Sequence, residues 1–110
     1  MDQKEKIADW VQDHKDELLQ LSHEIHDHPE LGFQEVQAAR WQTELLKKYG
    51  FSVEIPFAGM DTAYKAVFPG KEKGPVIAIL AEYDALPGVG HGCGHNIIAT
   101  AAVGAGLALT

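Results

Sequence analysis

Residues 75–96 read PVIAILAEYDALPGVGHGCGHN, and this stretch decides the fold that the sequence predicts. Val76 to Ala81 is a continuous apolar run with Ile and Val, which is typical of a β-strand buried on both faces. A glycine-rich loop from Glu82 to Gly94 follows, and the Ala/Gly-rich apolar segment from about His95 to Leu109 predicts a helix. The loop therefore lies at the carboxyl end of a strand, where open α/β sheets usually bind ligands.

Two helical patterns precede this stretch. The first has apolar residues recurring at alternating spacings of four and three, on one face of an amphipathic helix: Ile7, Val11, His14, Leu18, Leu21 and Ile25. His14 on this stripe is interpreted as a core residue with its hydrogen bonds satisfied. The helix should stop before Pro29, because the residue before a proline is pushed out of the α region. A second helix is predicted from about Gln34 to Tyr49, with Gly50 as the glycine just after its end.

Shorter patterns fill the region between the helices and the apolar run. Phe51 to Ile55 alternates apolar and polar residues, and Thr62 to Phe68 is a second strand-like run. The order of helices and strands predicts an α/β layered fold. In the last helix Gly104 and Gly106 each lower helix propensity by about 1 kcal/mol, so this helix needs tertiary packing.

Composition limits the class of protein. The 110 residues are 45% hydrophobic and 23% charged, which is ordinary for one small globular domain. The formal net charge of -7 argues against nucleic-acid binding and against docking on an anionic membrane. The single cysteine, Cys93, cannot form an internal disulfide, and the polar N-terminus lacks the apolar core of a signal peptide. We therefore expect a cytoplasmic protein.

The glycine-rich loop carries the candidate chemistry. His91, Cys93 and His95 lie within five residues and are separated only by glycines. Imidazole nitrogen and thiolate sulfur are preferred ligands of zinc-like metals, and glycines let a loop curl so that such side chains converge. Just upstream, Glu82 and Asp84 share one side of the strand end, from which either could reach a metal or hydrogen-bond a ligating histidine.

Other histidines have a simpler interpretation. His23, His26 and His28 lie at a predicted helix end with no cysteine beside them, so we interpret them as helix caps and surface groups. Cys93 by itself could equally be a small buried residue. A redox role for this thiol is disfavoured, since no second cysteine is present to resolve a disulfide.

Three motifs occur in a characteristic order: His26–Phe33 (HDHPELGF), Ala81–Gly88 (AEYDALPG) and Gly90–Asn96 (GHGCGHN). Together they resemble the aminoacylase/carboxypeptidase family of metal-dependent amidohydrolases. The nearest subgroup contains N-acyl-amino-acid amidohydrolases and aminobenzoyl-glutamate hydrolases. The resemblance implies an α/β fold that is part of a zinc-peptidase-like catalytic domain, with helices packed on a mixed sheet. It also implies a divalent metal pair (zinc, manganese, cobalt or nickel) and hydrolysis of an N-acyl amino acid, aminobenzoyl-glutamate or dipeptide-like substrate.

The resemblance also assigns residues. Cys93 and His95 match the metal ligands of this subgroup, and Asp84 matches the strand-end aspartate that orients the site. Glu82 falls where other branches carry a ligating histidine, and Asn96 stands where many relatives have aspartate. Glu82, His91 and Asn96 are thus candidates for substrate contact or for hydrogen bonds to the ligands, and His91 matches no assigned role.

Length separates two hypotheses. Family members run to several hundred residues, so the resemblance implies that residues 1–110 are the N-terminal part of the catalytic domain. The general-base glutamate, further ligands and the lid or dimerisation domain would then lie downstream, and the isolated chain would be inactive. The alternative is a non-catalytic α/β module that binds a metal weakly or associates through its unfinished edge, for example into a homo-oligomer.

Overall fold

The computed structural model describes residues 2–110 and consists of four helices and a short antiparallel strand pair. The elements in chain order are α1 (Gln3–Asp13), α2 (Lys15–Asp27), α3 (Val36–Lys48), β1 (Ser52–Glu54), β2 (Lys65–Val67) and α4 (His95–Ala108). Within residues 2–110, β1 and β2 make up the sheet, with Ser52 opposite Val67 and Glu54 opposite Lys65. This arrangement is a small α/β fold, and the mixed sheet that the resemblance implies is not formed by these residues.

The first predicted helix is two helices, because the chain breaks at His14. His14 leaves helical geometry (φ −109°, ψ 17°) and connects α1 to α2. Its Nδ1 atom lies 2.7 Å from the carbonyl oxygen of Trp10, and the two rings stack at 3.8 Å between centroids. His14 is therefore hydrogen-bonded as expected, but it is only partly buried and lies outside the core. α2 ends at Asp27, before Pro29, as predicted.

The break changes which part of the apolar stripe is buried. α1 contributes no fully buried residue, whereas Leu18, Leu21 and Ile25 of α2 are buried. The straight sequence pattern could not reveal this, since a kink that rotates one helix relative to the next leaves the spacing of apolar residues unchanged.

The second predicted helix and both short strands are confirmed. α3 begins two residues later and ends one residue earlier than expected. Gly50 follows its C-cap with a left-handed φ of +94°, and the Gly50 amide bonds the Lys47 carbonyl at 3.0 Å. β1 and β2 form inside the two predicted strand segments, at shorter length.

The predicted strand from Val76 to Ala81 is wrong for residues 2–110. The segment has no regular secondary structure, and its side chains face solvent, with Val76 96% and Leu80 85% exposed. A β-strand is held by hydrogen bonds to a neighbouring strand, and no strand among the described residues pairs with this segment. The apolar pattern is typical of a strand, but burial requires partners that these residues do not provide.

The core lies where α2, α3 and α4 pack together. Its fully buried cluster consists of Leu21, Ile25, Ala38, Leu46, Ala99, Val103 and Leu107. The small residues of α4 allow this close approach: a Cβ on Gly104 would lie 3.3 Å from a terminal methyl of Leu18. The helix predicted from His95 is confirmed, and it packs into the core through its buried residues. None of the helices in residues 2–110 has the length and apolar character that crossing a bilayer requires.

Two glycines of α4 should respond to substitution in opposite directions. Gly104→Leu forces a large side chain against Leu18 and should lower the free energy of unfolding by about 1–3 kcal/mol. At Gly106 a Cβ would be 4.0 Å from the Phe51 ring, an ordinary contact, so Gly106→Ala should raise it by about 0.5–1 kcal/mol through helix propensity. Urea unfolding followed by circular dichroism measures both changes. Equal effects at the two positions would contradict the packing of α2 on α4.

Candidate metal centre

The glycine-rich loop folds into a tight turn that leads directly into α4. Leu86 and Gly90 pair across the turn, with the Leu86 amide 2.9 Å from the Gly90 carbonyl. Gly90 adopts a left-handed φ of +70° and Gly94 one of +80°, conformations that favour glycine. α4 then begins at His95. The curled loop expected from the glycines is present, and it points its three ligand-type side chains in different directions.

Asp84 and His95 form the centre of the site. The His95 Nδ1 atom lies 2.8 Å from Asp84 Oδ1 and 3.0 Å from the Asp84 carbonyl oxygen. Because both neighbours are acceptors, Nδ1 of the neutral ring carries the hydrogen and donates it. Nε2 then holds a free lone pair. A histidine oriented through Nδ1 by a carboxylate is the arrangement in which proteins present Nε2 to a metal ion.

Glu82 approaches the free side of the same ring. Its Oε2 atom is 3.9 Å from His95 Nε2, beyond hydrogen-bond distance. Two ligand atoms on a tetrahedral ion with bonds of about 2.0–2.1 Å lie about 3.3 Å apart, so a small side-chain movement would bring both onto one cation. The Glu82 side chain is 65% exposed and has room for that movement.

Cys93 and Asn96 are placed differently from this pair. Cys93 lies exposed on the turn before α4. Within residues 2–110, no group of three or more His, Cys, Asp and Glu side chains converges at metal-binding distances. Asn96 is buried between helices, where its side-chain amide donates to Ser22 Oγ at 3.1 Å. The described residues therefore bring Asp84, His95 and Glu82 together, whereas a metal ligand role for Cys93 stays a prediction.

His91 turns into the protein. It is 8% exposed, and neither ring nitrogen has a hydrogen-bond partner among the described residues. Burial lowers the pKa of His91, and the nearby rings of His26 and His95 lower it further, against an opposing effect of Asp84. The His26 ring lies 6.4 Å away between centroids. His26 is exposed, as its interpretation as a surface group predicted, and the sequence did not reveal that its ring lies near His91.

The segment after α2 holds residues 83–85 in place. His28 Nδ1 lies 2.9 Å from the Glu24 carbonyl, so His28 caps α2 as predicted. The Ala85 amide donates to the main-chain oxygen of Glu30 at 2.7 Å, and Leu31 pairs with Ala85 as an isolated parallel bridge. The first motif therefore lies directly against the second. Sequence reasoning gave Glu30 no role of its own, because the contact joins segments more than fifty residues apart in the chain.

Tyr83 holds the chain on the other side of Asp84. Its hydroxyl donates to the Thr62 carbonyl at 2.5 Å, and the Thr62 hydroxyl donates to Glu35 Oε1 at 2.9 Å. Burial raises the pKa of Tyr83 to about 12, and the negative charge of Glu35 adds to this effect. Tyr83 therefore stays a neutral donor at every physiological pH. The chain is thus held by hydrogen bonds on both sides of Asp84.

Comparison with known proteins bears on this arrangement. The chain is 35% identical to a subunit of the p-aminobenzoyl-glutamate hydrolase of Escherichia coli, over 94% of the chain and 24% of that protein. It is 33% identical to thermostable carboxypeptidase 2 of Saccharolobus solfataricus, over 87% of the chain and 28% of that protein. It is also 33% identical to an N-acyl-L-amino acid amidohydrolase of Geobacillus stearothermophilus, over 84% of the chain and 28% of that protein. No family model matches the chain.

These relatives are hydrolases of amide bonds by name, and they match nearly the whole chain. The chain belongs to the aminoacylase/carboxypeptidase family of amidohydrolases, as its three motifs indicated. It spans about a quarter of the length of the curated relatives it matches.

The anchoring of Tyr83 predicts a change of stability with alkaline pH. Tyrosine in the unfolded chain ionises near 10, whereas folded Tyr83 ionises at about 12. Between these values the unfolded state loses the proton first, so the free energy of unfolding should fall as pH rises. Tyr83→Phe should lower stability at pH 8 by about 0.5–1.5 kcal/mol, for the lost hydrogen bond, and make the alkaline fall shallower. Urea midpoints at pH 8 and 10.5 test this, and identical slopes would contradict it.

Proposed function

We propose that this chain forms part of a metal-dependent amidohydrolase that cleaves the amide bond of a small N-acyl amino acid, aminobenzoyl-glutamate or dipeptide-like substrate. The observation that carries the proposal is the Asp84–His95 pair, which leaves His95 Nε2 free beside the Glu82 carboxylate. Asp84 precedes the glycine-rich loop and His95 is the first residue of α4, in a chain that is similar to amide hydrolases over most of its length.

The residues present fit a divalent cation by their chemistry. His95 Nε2, the Glu82 carboxylate and the Cys93 sulfur are the donor types that zinc-like ions take, and all three belong to one short stretch of chain. We assign Cys93 and His95 as the residues that would hold the cation, zinc, manganese, cobalt or nickel, with two cations in a complete site. A bound divalent metal supplies a Lewis acid, which lowers the pKa of water and polarises a scissile carbonyl.

Each residue of the candidate site then has a definite role. Asp84 holds the proton on His95 Nδ1 and fixes the ring so that Nε2 faces the cation. Tyr83 and the main-chain oxygen of Glu30 hold the chain on either side of Asp84, which fixes the position of the backbone that carries the carboxylate. Glu82, whose side chain is 65% exposed, is free to supply an oxygen ligand to the cation or to face the substrate.

The names of the relatives suggest the substrate class. They include an Xaa-Arg dipeptidase of Mus musculus, 36% identical over 96% of the chain, together with the p-aminobenzoyl-glutamate hydrolase and the N-acyl-L-amino acid amidohydrolase described above. What these names share is a small amide whose amine portion is an amino acid. We propose the same class for this chain, without choosing among its acyl groups.

Substitution of the ligands tests the assignment. Residues 1–110 are placed in the matching segment of the Geobacillus stearothermophilus relative, and zinc content and hydrolysis of an N-acyl-L-amino acid are measured. Cys93→Ala and His95→Ala should each abolish hydrolysis and lower the zinc content. Asp84→Asn, which removes the negative charge of the carboxylate that accepts the His95 proton, should lower zinc affinity or activity by about 10- to 100-fold.

The matched control is His23→Ala, the same change at an exposed histidine of α2. It should leave both zinc content and hydrolysis at the level of the unsubstituted chain. Cys93→Ala and His95→Ala variants that behave like His23→Ala would refute the metal assignment.

A second candidate function is association through the exposed apolar segment. Val76, Ile77 and Leu80 are 96%, 77% and 85% exposed, which is unusual for neighbouring large apolar side chains. An unpaired apolar segment is prone to pair with a strand of another molecule. We propose that the chain by itself forms homo-oligomers through this segment.

Charged substitutions should reverse this association. In sedimentation velocity the chain should form dimers or larger species, and a variant with both Ile77→Lys and Leu80→Lys should be monomeric. The double variant Lys4→Ala and Lys6→Ala, on the exposed surface of α1, is the control and should associate like the unsubstituted chain. A monomeric unsubstituted chain would exclude this second function.

A further inference from the structure

The Glu30 carboxylate binds the start of α3 from outside the helix. Its two oxygens accept the amides of Gln37 at 3.1 Å and Ala38 at 2.8 Å, the second and third residues of α3. These amides have no partner within the helix, and a negative charge at a helix N-terminus is favourable. The residue at the usual capping position, Glu35, does not fill this role, because its carboxylate accepts from the Thr62 hydroxyl.

The main chain of Glu30 binds the residue that follows Asp84. The Glu30 carbonyl accepts the Ala85 amide at 2.7 Å. Ala85 is only 3% exposed, so water cannot replace this bond if it is lost. Beside it, the Pro29 ring lies 3.9 Å from the position that a Cβ on Gly90 would take, so the first motif also packs against the turn that leads to α4.

Asp84 is the neighbour of the residue that Glu30 holds. A shift of the Glu30 peptide would move the Ala85 amide, and with it the carboxylate that lies 2.8 Å from His95 Nδ1. The side chain of Glu30 fixes that peptide relative to α3, because its two bonds to consecutive helical amides define both its distance and its direction. One residue thus connects a helix N-terminus to the centre of the candidate site.

We propose that Glu30 is a positioning residue for the Asp84–His95 pair, acting through the Ala85 amide. The importance of this for metal binding rests on the proposed function, but the positioning itself is a property of the metal-free chain. Glu30 touches neither a cation nor a substrate. It sets the location of the carboxylate that orients His95.

The test reads the His95 ring directly. Two-dimensional nuclear magnetic resonance correlating ring protons with ring nitrogens, at pH 8 and without metal, reports the hydrogen on Nδ1 or Nε2. Asp84→Asn defines the spectrum of a ring without its carboxylate partner. We expect Glu30→Ala to shift the His95 nitrogens from the unsubstituted values toward those of Asp84→Asn. Zinc affinity, measured by calorimetry, should fall by about tenfold, at the lower end of the effect of residues that orient a ligand.

The matched control removes another helix-capping carboxylate. Asp2 caps α1 by accepting the Glu5 amide at 2.8 Å, and it lies in a different part of the chain from Asp84 and Ala85. Asp2→Ala should lower thermal stability, as Glu30→Ala does, while leaving the His95 nitrogens unchanged. A purely structural role for Glu30 would make the two variants alike, with lower stability and an unshifted His95, and this result would overturn the proposal.

Two further outcomes are covered by the experiment: a Glu30→Ala variant that does not fold, and an unsubstituted chain that binds no zinc. If Glu30→Ala does not fold, Glu30→Gln, which retains one acceptor oxygen, is measured in its place, and an unshifted His95 in this variant also overturns the proposal. If the unsubstituted chain binds no zinc, the proposed function loses support, whereas the nitrogen shifts still decide whether Glu30 positions the pair.

Discussion

The hydrogen bond from His95 Nδ1 to the Asp84 carboxylate, 2.8 Å long, is the contact on which the candidate site depends. It joins the end of the extended segment to the first residue of α4, across the ten residues 85–94 of the glycine-rich loop. Without it the Asp84 carbonyl oxygen, 3.0 Å from Nδ1, would be the remaining acceptor that orients the imidazole. With it, Nε2 alone is left for a ligand, on the side where Glu82 stands.

This contact is supported from two directions by parts of the chain that are distant in sequence. On one side Glu30 holds the Ala85 amide and the start of α3, and on the other the Tyr83 hydroxyl holds Thr62. The three motifs that indicate the amidohydrolase family are therefore not independent signals. They are three segments of one packed unit, and the first of them holds the second in place through the Glu30 carbonyl.

The apolar segment from Val76 to Ala81 shows the limit of reading a strand from its pattern. A continuous apolar run indicates that burial of the segment is favourable, but it does not supply the neighbouring strands that burial requires. In residues 2–110 the hydrogen-bonded sheet is β1 with β2, and the side chains of the apolar segment stay exposed. By contrast α3 with Gly50, and α4 with its small residues, were predicted closely, because the hydrogen bonds within a helix and the glycine that follows its end are local in sequence.

Sequence alone determined the helices after His14, the glycine turn, the family and the residue types of the site, since each of these depends on neighbours a few positions away. The tertiary structure decided what depends on distant neighbours. It broke the first helix at His14, turned His91 inward toward His26, buried Asn96 against Ser22 and placed Glu30 between α3 and Ala85. Spacing along a chain specifies which face a side chain occupies, but only packing specifies what lies opposite that face.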